Sequence, residues 1–356
     1  MNHQESRKLE TRLFSTLKKY LKDGDCVVAG ISGGPDSIFL LYLLEKLQIK
    51  IIAAHINHQL RKEADEDEKF VSKLCHEAKC ARAHFLLKKT ACKSHSLPTQ
   101  NTSSQSTIFA PLTADISALS KKSHQGLEET GRKVRYDFFK KLAKKYQAKF
   151  IITAHHSDDN LETIILNFAR GASLQGLSGM QEAENNTKAP SLLRPLLTIS
   201  KKQILDFLKF KKLKFRIDKS NNSLVYKRNF IRHKIIPLLK EINPGIATTL
   251  SKNTENLREI NEFLKSTAQD WINKNATDST FKKYAADAFR TLSGSPALQK
   301  TILLQLHNHH LNHTQNITSS NLEETLILLN KNIGNKEKKF GQLTISIRNN
   351  IITIKL

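Results

Sequence analysis

Short apolar runs rich in β-branched residues alternate with stretches of helical periodicity over the first half of the chain. This alternation is typical of parallel βαβ units, in which a crossover helix follows each buried strand. The predicted strands cover residues 25–31, 49–56, 83–87 and 150–154. The predicted helices cover residues 36–47, 64–79, 127–146 and 158–170. The pattern therefore predicts an α/β fold with a doubly wound, mainly parallel sheet that binds ligands at the carboxyl ends of its strands.

The rest of the chain departs from this pattern. Residues 93–125 are rich in Ser, Thr and Gln and have little periodicity, which predicts a surface insertion. Between residues 200 and 260, 15 Lys or Arg stand against 5 Asp or Glu. From residue 243 the pattern is mainly helical, and it ends with apolar residues that alternate around Asn349 and Asn350, which predicts a β-hairpin. The predicted divisions of the chain are residues 1–218, 219–242 and 243–356.

The charge balance points to a polyanionic partner. The chain has 57 Lys plus Arg against 33 Asp plus Glu, a formal net charge of +24. Such an excess attracts nucleic acid, although a Lys-rich composition that only favours solubility is the alternative. No apolar run approaches the ~18 residues of a membrane span, and the polar start lacks the apolar core of a secretory signal. We therefore expect a cytoplasmic protein with no membrane partner.

The hexapeptide SGGPDS directly follows the first predicted strand and begins the first predicted helix. Two glycines let the backbone approach phosphate oxygens closely, and a helix N-terminus offers free N–H groups and partial positive charge. Asp36 is suited to hold a magnesium ion bound to those phosphates. The spacing excludes a Walker A loop, and a plain turn with a helix cap is the alternative. The candidate phosphate-binding residues are Ser32, Gly33, Gly34, Pro35, Asp36 and Ser37.

Three carboxylates follow the fourth predicted strand, and two arginines lie on the helix before it. Asp158 and Glu162 are one helical turn apart and Asp159 lies within reach of Glu162, so the cluster suits an ammonium group or magnesium. A helix N-cap with acids favoured by the helix dipole is the alternative. Arg132 and Arg135 suit phosphate or carboxylate binding, unless they only form a solvated helix face.

The hexapeptide matches the PP-loop of the N-type ATP pyrophosphatases, and further segments resemble the tRNA(Ile)-lysidine synthase family in order and spacing. These segments are HINHQLR (55–61), EETGRKVRYDF (128–138), AHHSDDNLET (154–163), RGASLQGLSGM (170–180), RPL (194–196) and DKSNNSLVYKRNFIRHKIIPL (218–238). The resemblance implies an adenine nucleotide α-hydrolase-like catalytic domain, a basic tRNA-contacting segment and a helical tRNA-recognition domain, in that order. It also implies that the six loop residues bind ATP, with Mg²⁺ on Asp36, and that ATP is cleaved between its α and β phosphates.

The reaction that the resemblance implies is ligation of L-lysine to C2 of the wobble cytidine in the CAU anticodon of isoleucine tRNA. It would pass through an adenylated cytidine, release AMP and pyrophosphate, and change codon reading from AUG to AUA. The family implies that Asp36 and Asp159 are catalytic, and that Asp158, Asp159 and Glu162 bind lysine. The implied phosphate- and tRNA-contacting residues are Arg132, Arg135, Arg228, Asn229 and Arg232. The sequence leaves the oligomeric state open, a homodimer included.

Other classes of protein are the alternatives. A tRNA thiolase from the same superfamily would need paired cysteines or cluster ligands, and the four cysteines of this chain form no CxxC pair. A small-molecule amide ligase has no need of a net charge of +24. A non-catalytic RNA-binding protein has no use for a PP-loop joined to an acidic helix.

Some residues keep more than one interpretation. Asp36, Asp159 and His155 are the candidates for the base that deprotonates lysine. Gly131 stands where the family usually has alanine, at a cost of about 1 kcal/mol in helix propensity. The four histidines near residue 310 have no acidic or cysteine partner nearby, so we expect them on a solvated helix or loop and not at a metal. They are His307, His309, His310 and His313.

Overall fold

The computed structural model describes most of the chain in two compact units. The described residues are 1–59, 64–77, 80–82, 85–86, 106–184, 190–216, 227–280, 282–311, 317–331 and 336–355. The first unit consists of Met1–Gly171 and Gly179–Ser251, and the second of Ala172–Ser178 and Lys252–Leu356. The divisions predicted after residues 218 and 242 both fall inside the first unit.

The first unit is built on a mainly parallel sheet, as the sequence pattern predicts. Its described strands are β1 (Cys26–Gly30), β2 (Lys50–Asn57), β3 (Cys80–Arg82), β4 (Phe85–Leu86), β5 (Ser106–Thr113), β6 (Phe150–Ile152), β7 (Ala183–Glu184) and β8 (Ser191–Leu193). The strand order is β3-β5-β2-β1-β6-β8-β7, and β4 pairs with β5. Only the β7–β8 pair is antiparallel among these strands. The order reverses on either side of β1, which places a topological switch point beside that strand.

Helices cover both faces of this sheet. The described α-helices of the first unit are α1 (His3–Tyr20), α2 (Pro35–Leu44), α3 (Ala64–Glu77), α4 (Ile116–Ser123), α5 (Leu127–Tyr146), α6 (Ser157–Ala169), α8 (Lys201–Phe210), α9 (Lys227–Phe230) and α10 (Ile236–Ile242). Helix α7 (Leu174–Leu177) belongs to the second unit. Leu13 of α1, Phe39 of α2 and Phe207 of α8 share one buried cluster. Phe138 and Leu142 of α5 belong to a second cluster with strand residues. The edge-to-face contact of Phe39 and Phe207, with ring centroids 4.8 Å apart, holds α8 beside α2.

Part of the predicted surface insertion is instead a central strand, so that prediction is wrong for residues 106–113. Strand β5 pairs with β2 along eight residues and lies between β3 and β2. Phe109 and Leu112 are buried, because an interior parallel strand is covered on both faces and therefore shows no alternation. Residues 93–105 lie outside the described residues. Of the strand predicted at 83–87, Phe85–Leu86 is described and forms β4.

The second unit contains helices and an antiparallel sheet. Its helices are α11 (Ile246–Asn275), which belongs to this unit from Lys252, α12 (Ala286–Arg290), α13 (Pro296–Leu311) and α14 (Ser319–Asn330). Its strands β9 (Lys283–Ala285), β10 (Lys336–Phe340), β11 (Leu343–Arg348) and β12 (Ile351–Lys355) are ordered β10-β11-β12-β9. Asn349 and Asn350 have φ angles of 47° and 60° and join β11 to β12. The predicted hairpin with a two-residue turn is confirmed, because a type I′ turn requires this left-handed backbone at both positions.

The histidine cluster differs from expectation at one position. His307 is fully buried on α13, with its ring edge-on to Phe340 at 5.7 Å, so it is a core residue and not a solvated one. His313 lies outside the described residues. Within the described residues, no group of three or more His, Cys, Asp or Glu is arranged to hold a metal ion. None of the described helices is long and apolar enough to cross a membrane.

Candidate active site

The SGGPDS segment forms a tight loop between β1 and α2. Gly33 has a φ of 90°, and a Cβ there would lie 3.1 Å from Val71 Cγ2, so the loop requires glycine at this position. Ser37 Oγ accepts a hydrogen bond from Gly33 N at 3.1 Å and donates to Gly34 O at 2.9 Å. Ser32 Oγ accepts from Gly34 N at 3.3 Å. The two serines therefore hold the loop backbone in shape.

The start of α2 is suited to an anion. Gly34 occupies the N-cap position and has no side chain that could cap the helix, and Pro35 follows at the first helical position. Free N–H groups and the helix dipole make such a terminus attractive to phosphate. Asp36, in the first turn, supplies a carboxylate for a divalent cation at the same place.

Asp36 is paired with a lysine that the sequence analysis missed. Lys201 Nζ donates to both carboxylate oxygens of Asp36 at 2.7 Å. Lys201 is the first residue of α8, and its own backbone N–H donates to Asp158 Oδ2 at 2.8 Å. No local pattern signals this pair, because 165 residues separate its members in the chain.

A cavity of about 630 Å³ opens at the carboxyl ends of the central strands. Its walls come from the loop, from the ends of β2 and β6, and from α5. The lining residues include Gly30, Ser32, Asp36, Ser37, Ile56, His58, Tyr136, Phe139 and His155. This volume falls within the range of about 300–1,000 Å³ that is usual for small-ligand sites. An adenine nucleotide fits the combination of apolar wall and phosphate loop, and of the two lining carboxylates, Asp36 and Asp67, Asp36 lies at the loop and would hold its Mg²⁺.

The carboxylates of α6 lie beside this cavity, and His156 connects them to the loop. His156 is the N-cap of α6 and forms a capping box with Asp159, accepting from Asp159 N at 3.4 Å while its own N–H donates to Asp159 Oδ2 at 3.1 Å. Its buried ring places Nε2 3.4 Å from Asp159 Oδ2 and 3.7 Å from Asp36 Oδ1. The two acids predicted to be catalytic therefore flank one imidazole.

Glu162 forms the most buried charge pair of the site. Its carboxylate is only 1% exposed and accepts two hydrogen bonds from Arg232, at 2.6 Å from Nε and 3.0 Å from a terminal nitrogen. Burial raises the pKa of Glu162 above its ordinary value, and the guanidinium opposes this shift. Arg232 also approaches Asp159 Oδ1 at 3.6 Å.

A π-helical turn (Ile231–Ile235) carries Arg232 to this position. Ile231 of the turn and Ile236 of α10 share a buried cluster with Leu161 of α6, so the turn packs on the helix that carries the acids. Just before the turn, Arg228 donates to Thr163 Oγ1 at 2.9 Å. Asn229 is buried within α9. π-turns occur frequently at functional sites, and this one brings two of the predicted basic residues to α6.

Arg132 and Arg135 lie on the exposed surface of α5, near the cavity. Arg132 stacks over the ring of Tyr136 at 4.9 Å, and Arg135 and Tyr136 line the cavity. Burial and the positive charges of four arginines lower the pKa of His155 to about 3, and burial beside Arg135 lowers the pKa of His58 to about 4. Both histidines are therefore neutral near pH 7.

The structure thus brings together most of the predicted site. The loop, Asp36, Asp159 and His156 form one connected group, and Glu162 joins it through Arg232. Asp158 lies at the edge of this group, where it binds the start of α8. The motifs found the acids and the arginines, whereas Lys201 and the pairing of Glu162 with Arg232 required the tertiary fold.

Comparison with known proteins identifies the family to which the chain is similar. A family model described as a PP-loop domain matches residues 3–239. A tRNA(Ile)-lysidine synthase of Thermotoga sp. (strain RQ2) is 32% identical over 269 residues, which are 74% of this chain and 57% of that protein. A second tRNA(Ile)-lysidine synthase, from Clostridium tetani (strain Massachusetts / E88), is 35% identical over 260 residues, 71% of this chain and 49% of that protein. The chain spans about half the length of these curated relatives.

A solved structure shares the fold at lower sequence identity. The U34-tRNA thiolase NcsA from Methanococcus maripaludis, with its 4Fe-4S cluster, has a TM-score of 0.57 and 17% identity to this chain. The match covers 72% of this chain and 81% of that one. Since the PP-loop model covers most of the chain and the loop, sheet and cavity agree with it, the chain belongs to the PP-loop domain family, whose fold implies the use of ATP.

Proposed function

We propose that this protein ligates L-lysine to C2 of the wobble cytidine in the CAU anticodon of isoleucine tRNA, at the expense of ATP. The observation that carries the proposal is the single imidazole of His156 between Asp36, at the phosphate loop, and Asp159, on the acidic helix. A site for ATP cleavage is therefore next to a site suited to an amine. The similarity to two proteins named tRNA(Ile)-lysidine synthase supports this reaction among those of the PP-loop family.

The chemistry proceeds in two displacements. The C2 oxygen of cytidine first attacks the α-phosphorus of ATP, the bond to the β-phosphate breaks, and pyrophosphate leaves at the start of α2. The lysine ε-amine then attacks C2, and the bond from C2 to oxygen breaks with AMP as the leaving group. Adenylation is needed because the cytosine carbonyl is a poor electrophile. Mg²⁺ held by Asp36 would supply charge stabilisation for the departing phosphates.

The amine must lose a proton before it attacks. Deprotonating an amine with a pKa near 10.4 at neutral pH requires about 4–5 kcal/mol. Of the three candidate bases, Asp36 is assigned to Mg²⁺ and the His155 ring bonds the Thr153 hydroxyl, so we assign the role to Asp159, which lies on the helix that carries the other acids.

The lysine-binding residues are proposed from their pairing. Asp159 has the longest contacts of the three acids: its shortest is 3.1 Å, from the His156 backbone N–H, and Arg232 is 3.6 Å away, which leaves a carboxylate oxygen able to bind a substrate ammonium. Glu162 holds Arg232 in place through two hydrogen bonds, and that guanidinium is suited to the lysine carboxylate. Asp158 completes the acidic set at the side of α8.

The tRNA contacts are proposed from charge and exposure. Arg132 and Arg135 are exposed beside the cavity, and Arg228 lies at the edge of the acidic helix. The stretch from residue 200 to 260 carries 15 Lys or Arg against 5 Asp or Glu. Such a surface binds phosphates in a salt-dependent way, and the wobble base must leave its stack to enter the cavity.

One assay tests the proposal against its alternatives. The protein is incubated with ATP, labelled lysine and CAU-anticodon isoleucine tRNA, and we expect label on the tRNA with release of AMP and pyrophosphate. A thiolase would transfer no lysine, and a small-molecule ligase would release AMP without tRNA. Folded protein that transfers no lysine contradicts the proposal.

Asp36→Ala tests the assigned site in the same assay. We expect about a thousandfold loss of lysine transfer, because the departing phosphates lose an electrostatic partner that acts in the transition state. Asp23→Ala is the matched control, since Asp23 is an exposed acid before β1, at the opposite edge of the sheet. Full activity of Asp36→Ala would show that the site is wrongly assigned.

A further inference from the structure

The ammonium of Lys201 lies at the positive end of α2. It is 2.7 Å from both oxygens of Asp36, which occupies the first turn of that helix. A cation is disfavoured at a helix N-terminus, and Asp36 offsets that cost here. Lys201 and the N-terminus of α2 together form a concentration of positive charge, and the Asp36 carboxylate is bound to the lysine as its counter-ion. This arrangement favours a ligand with more negative charge than Asp36 alone.

The pair is also able to exchange partners. The side chain of Lys201 is 36% exposed and that of Asp36 is 26% exposed. Ion pairs with this much access to water contribute little to folding stability, so stability does not account for it. Lysine has a flexible stem with four rotatable bonds, which lets its ammonium move while its backbone stays fixed.

We propose that Lys201 is a phosphate-binding residue of the nucleotide site, which is held on Asp36 until Mg–ATP binds. The carboxylate of Asp36 then serves the metal, and the ammonium of Lys201 turns to the polyphosphate. The exchange leaves no charge unpaired, because the Asp36 carboxylate gains the metal ion while the Lys201 ammonium gains a phosphate. The proposal rests on ATP use in the proposed function, but not on lysine or tRNA as substrates.

Asp158 is the positioning residue for this lysine. Its Oδ2 accepts the backbone N–H of Lys201 at 2.8 Å, which fixes the point where α8 begins. Ser200 caps the same helix through Gln203 N. The fixed backbone restricts the reach of the Lys201 side chain to the start of α2. Asp158 thus orients a lysine of the chain itself, in addition to its place in the acidic set proposed for substrate lysine.

The test measures binding of a non-cleavable α,β-methylene ATP analogue by calorimetry, without tRNA or lysine. For Lys201→Met we expect about a tenfold higher Kd at saturating Mg²⁺, the size of one charge-assisted hydrogen bond. We also expect the Mg²⁺ concentration for half-maximal binding to fall, because no ammonium competes for Asp36. Lys201→Arg should recover most of the affinity. Lys202→Met, an exposed neighbour with the same loss of charge, should match the unsubstituted protein.

The outcomes separate this role from others. A Kd that is unchanged or lower in Lys201→Met overturns the proposal, since Lys201 would then only occupy Asp36. A rise in both the Kd and the Mg²⁺ requirement also overturns it, because that result indicates a structural role. Circular dichroism checks folding, and Lys201→Gln, with the same expected tenfold change, replaces the methionine variant if that variant does not fold.

Asp158 has its own distinguishing pair of variants. Asp158→Asn keeps an oxygen that accepts the Lys201 N–H, so the analogue should bind nearly as in the unsubstituted protein, while Asp158→Ala should bind it about threefold more weakly. Equal losses of lysine affinity in both variants, with unchanged nucleotide affinity, would contradict the positioning role. If the nucleotide results hold but no lysine is transferred to tRNA, the proposed function fails and this inference stands.

Discussion

The two halves of the site are built in different ways. The nucleotide half, residues 32–37, is held by hydrogen bonds between residues at most five positions apart. The acid half, formed by the α6 carboxylates and Arg232, depends on pairs separated by 43 and 70 positions. The first half uses backbone groups and neutral hydroxyls, and the second uses charged side chains. Local sequence can therefore specify the nucleotide half alone, whereas the acid half exists only after the fold has formed.

The charged side chains of the two halves also differ in their exposure to water. Asp36 of the nucleotide half and Lys201, its partner from outside that half, are both partly open to water and can be separated at small cost. In the acid half, Glu162 is 1% exposed, so its charge depends on Arg232. A buried ion that loses its partner is strongly destabilising, even where the pair itself contributes little. The comparison predicts that folding stability responds far more to the acid half.

The largest effect on stability is expected for Arg232→Met. At pH 7 this change leaves the buried Glu162 carboxylate without its partner, and we expect about 3 kcal/mol lower free energy of unfolding. Glu162→Gln should cost about 1 kcal/mol, because Arg232 is 37% exposed on its side chain and can turn to water. The double variant should be more stable than Arg232→Met alone. Urea titrations followed by circular dichroism measure these differences.

The pH dependence of Arg232→Met provides an internal check. Without Arg232 the folded-state pKa of Glu162, already raised by burial, rises further. The folded protein then binds more protons than the unfolded chain above pH 4.5, so its stability falls as pH rises. The cost of the substitution should therefore shrink as the pH is lowered towards 4.5. Arg170→Met is the matched control, because Arg170 is an exposed arginine at the C-cap of the same helix. A cost that is the same at pH 5 and pH 8 would contradict a buried unpaired carboxylate.

The same contrast explains how much the sequence could predict. The strand, loop and helix around SGGPDS follow from local pattern, and their spans agree with β1 and α2 to within a few residues. Strand β5 was missed because it is buried on both faces and its Ser, Thr and Pro residues resemble a loop. The hairpin at Asn349 and Asn350 was found because its turn chemistry is local.

In the acid half, sequence spacing identified the residues but not their pairings. Asp158 and Glu162 are on one helix, yet one binds the start of α8 and the other binds Arg232. Lys201 carries no motif, because an isolated lysine at a helix start looks like any surface lysine. Long-range pairs of this kind depend on how the helices pack against each other, and the periodicity of the sequence does not predict that packing.

A smaller effect is expected for His155, in the wall of the nucleotide cavity. The residue lines the nucleotide cavity, while burial and four arginines lower its pKa to about 3. Between about pH 3 and 6.5, His155 is protonated in the unfolded chain and neutral in the folded protein. Stability is therefore lost as the pH falls through this range. From pH 7 to pH 5 the loss attributable to His155 should be at most about 2 kcal/mol.

Substitution isolates this contribution. His155→Asn keeps a polar atom near Thr153, which bonds the His155 ring at 2.8 Å, and removes the titration. As the pH is lowered, the variant should therefore gain stability relative to the unsubstituted protein. His76→Asn, at an exposed position of α3, is the control. A gap in unfolding free energy that is independent of pH would show that neither burial nor the arginines lower the pKa of His155 in the folded protein.

The smallest effects on stability are expected for Gly33, in the loop of the nucleotide half, and for Gly131, in the helix that forms a wall of the cavity. Substitution by alanine should change stability in opposite directions at these two positions. Gly131 lies within α5, where a Cβ would meet Ile116 and His58 at ordinary distances of 3.8 and 3.9 Å, so Gly131→Ala should raise stability by about 1 kcal/mol. Gly33→Ala should lower it by at least about 1 kcal/mol, since alanine is strained at a φ of 90° and crowds Val71. Thermal unfolding measures both changes, and calorimetry with the ATP analogue should show weaker binding only for Gly33→Ala. If Gly131→Ala also weakened binding, the backbone of α5 in the cavity wall would be as sensitive to an added side chain as the loop is. The nucleotide half would then have to include α5.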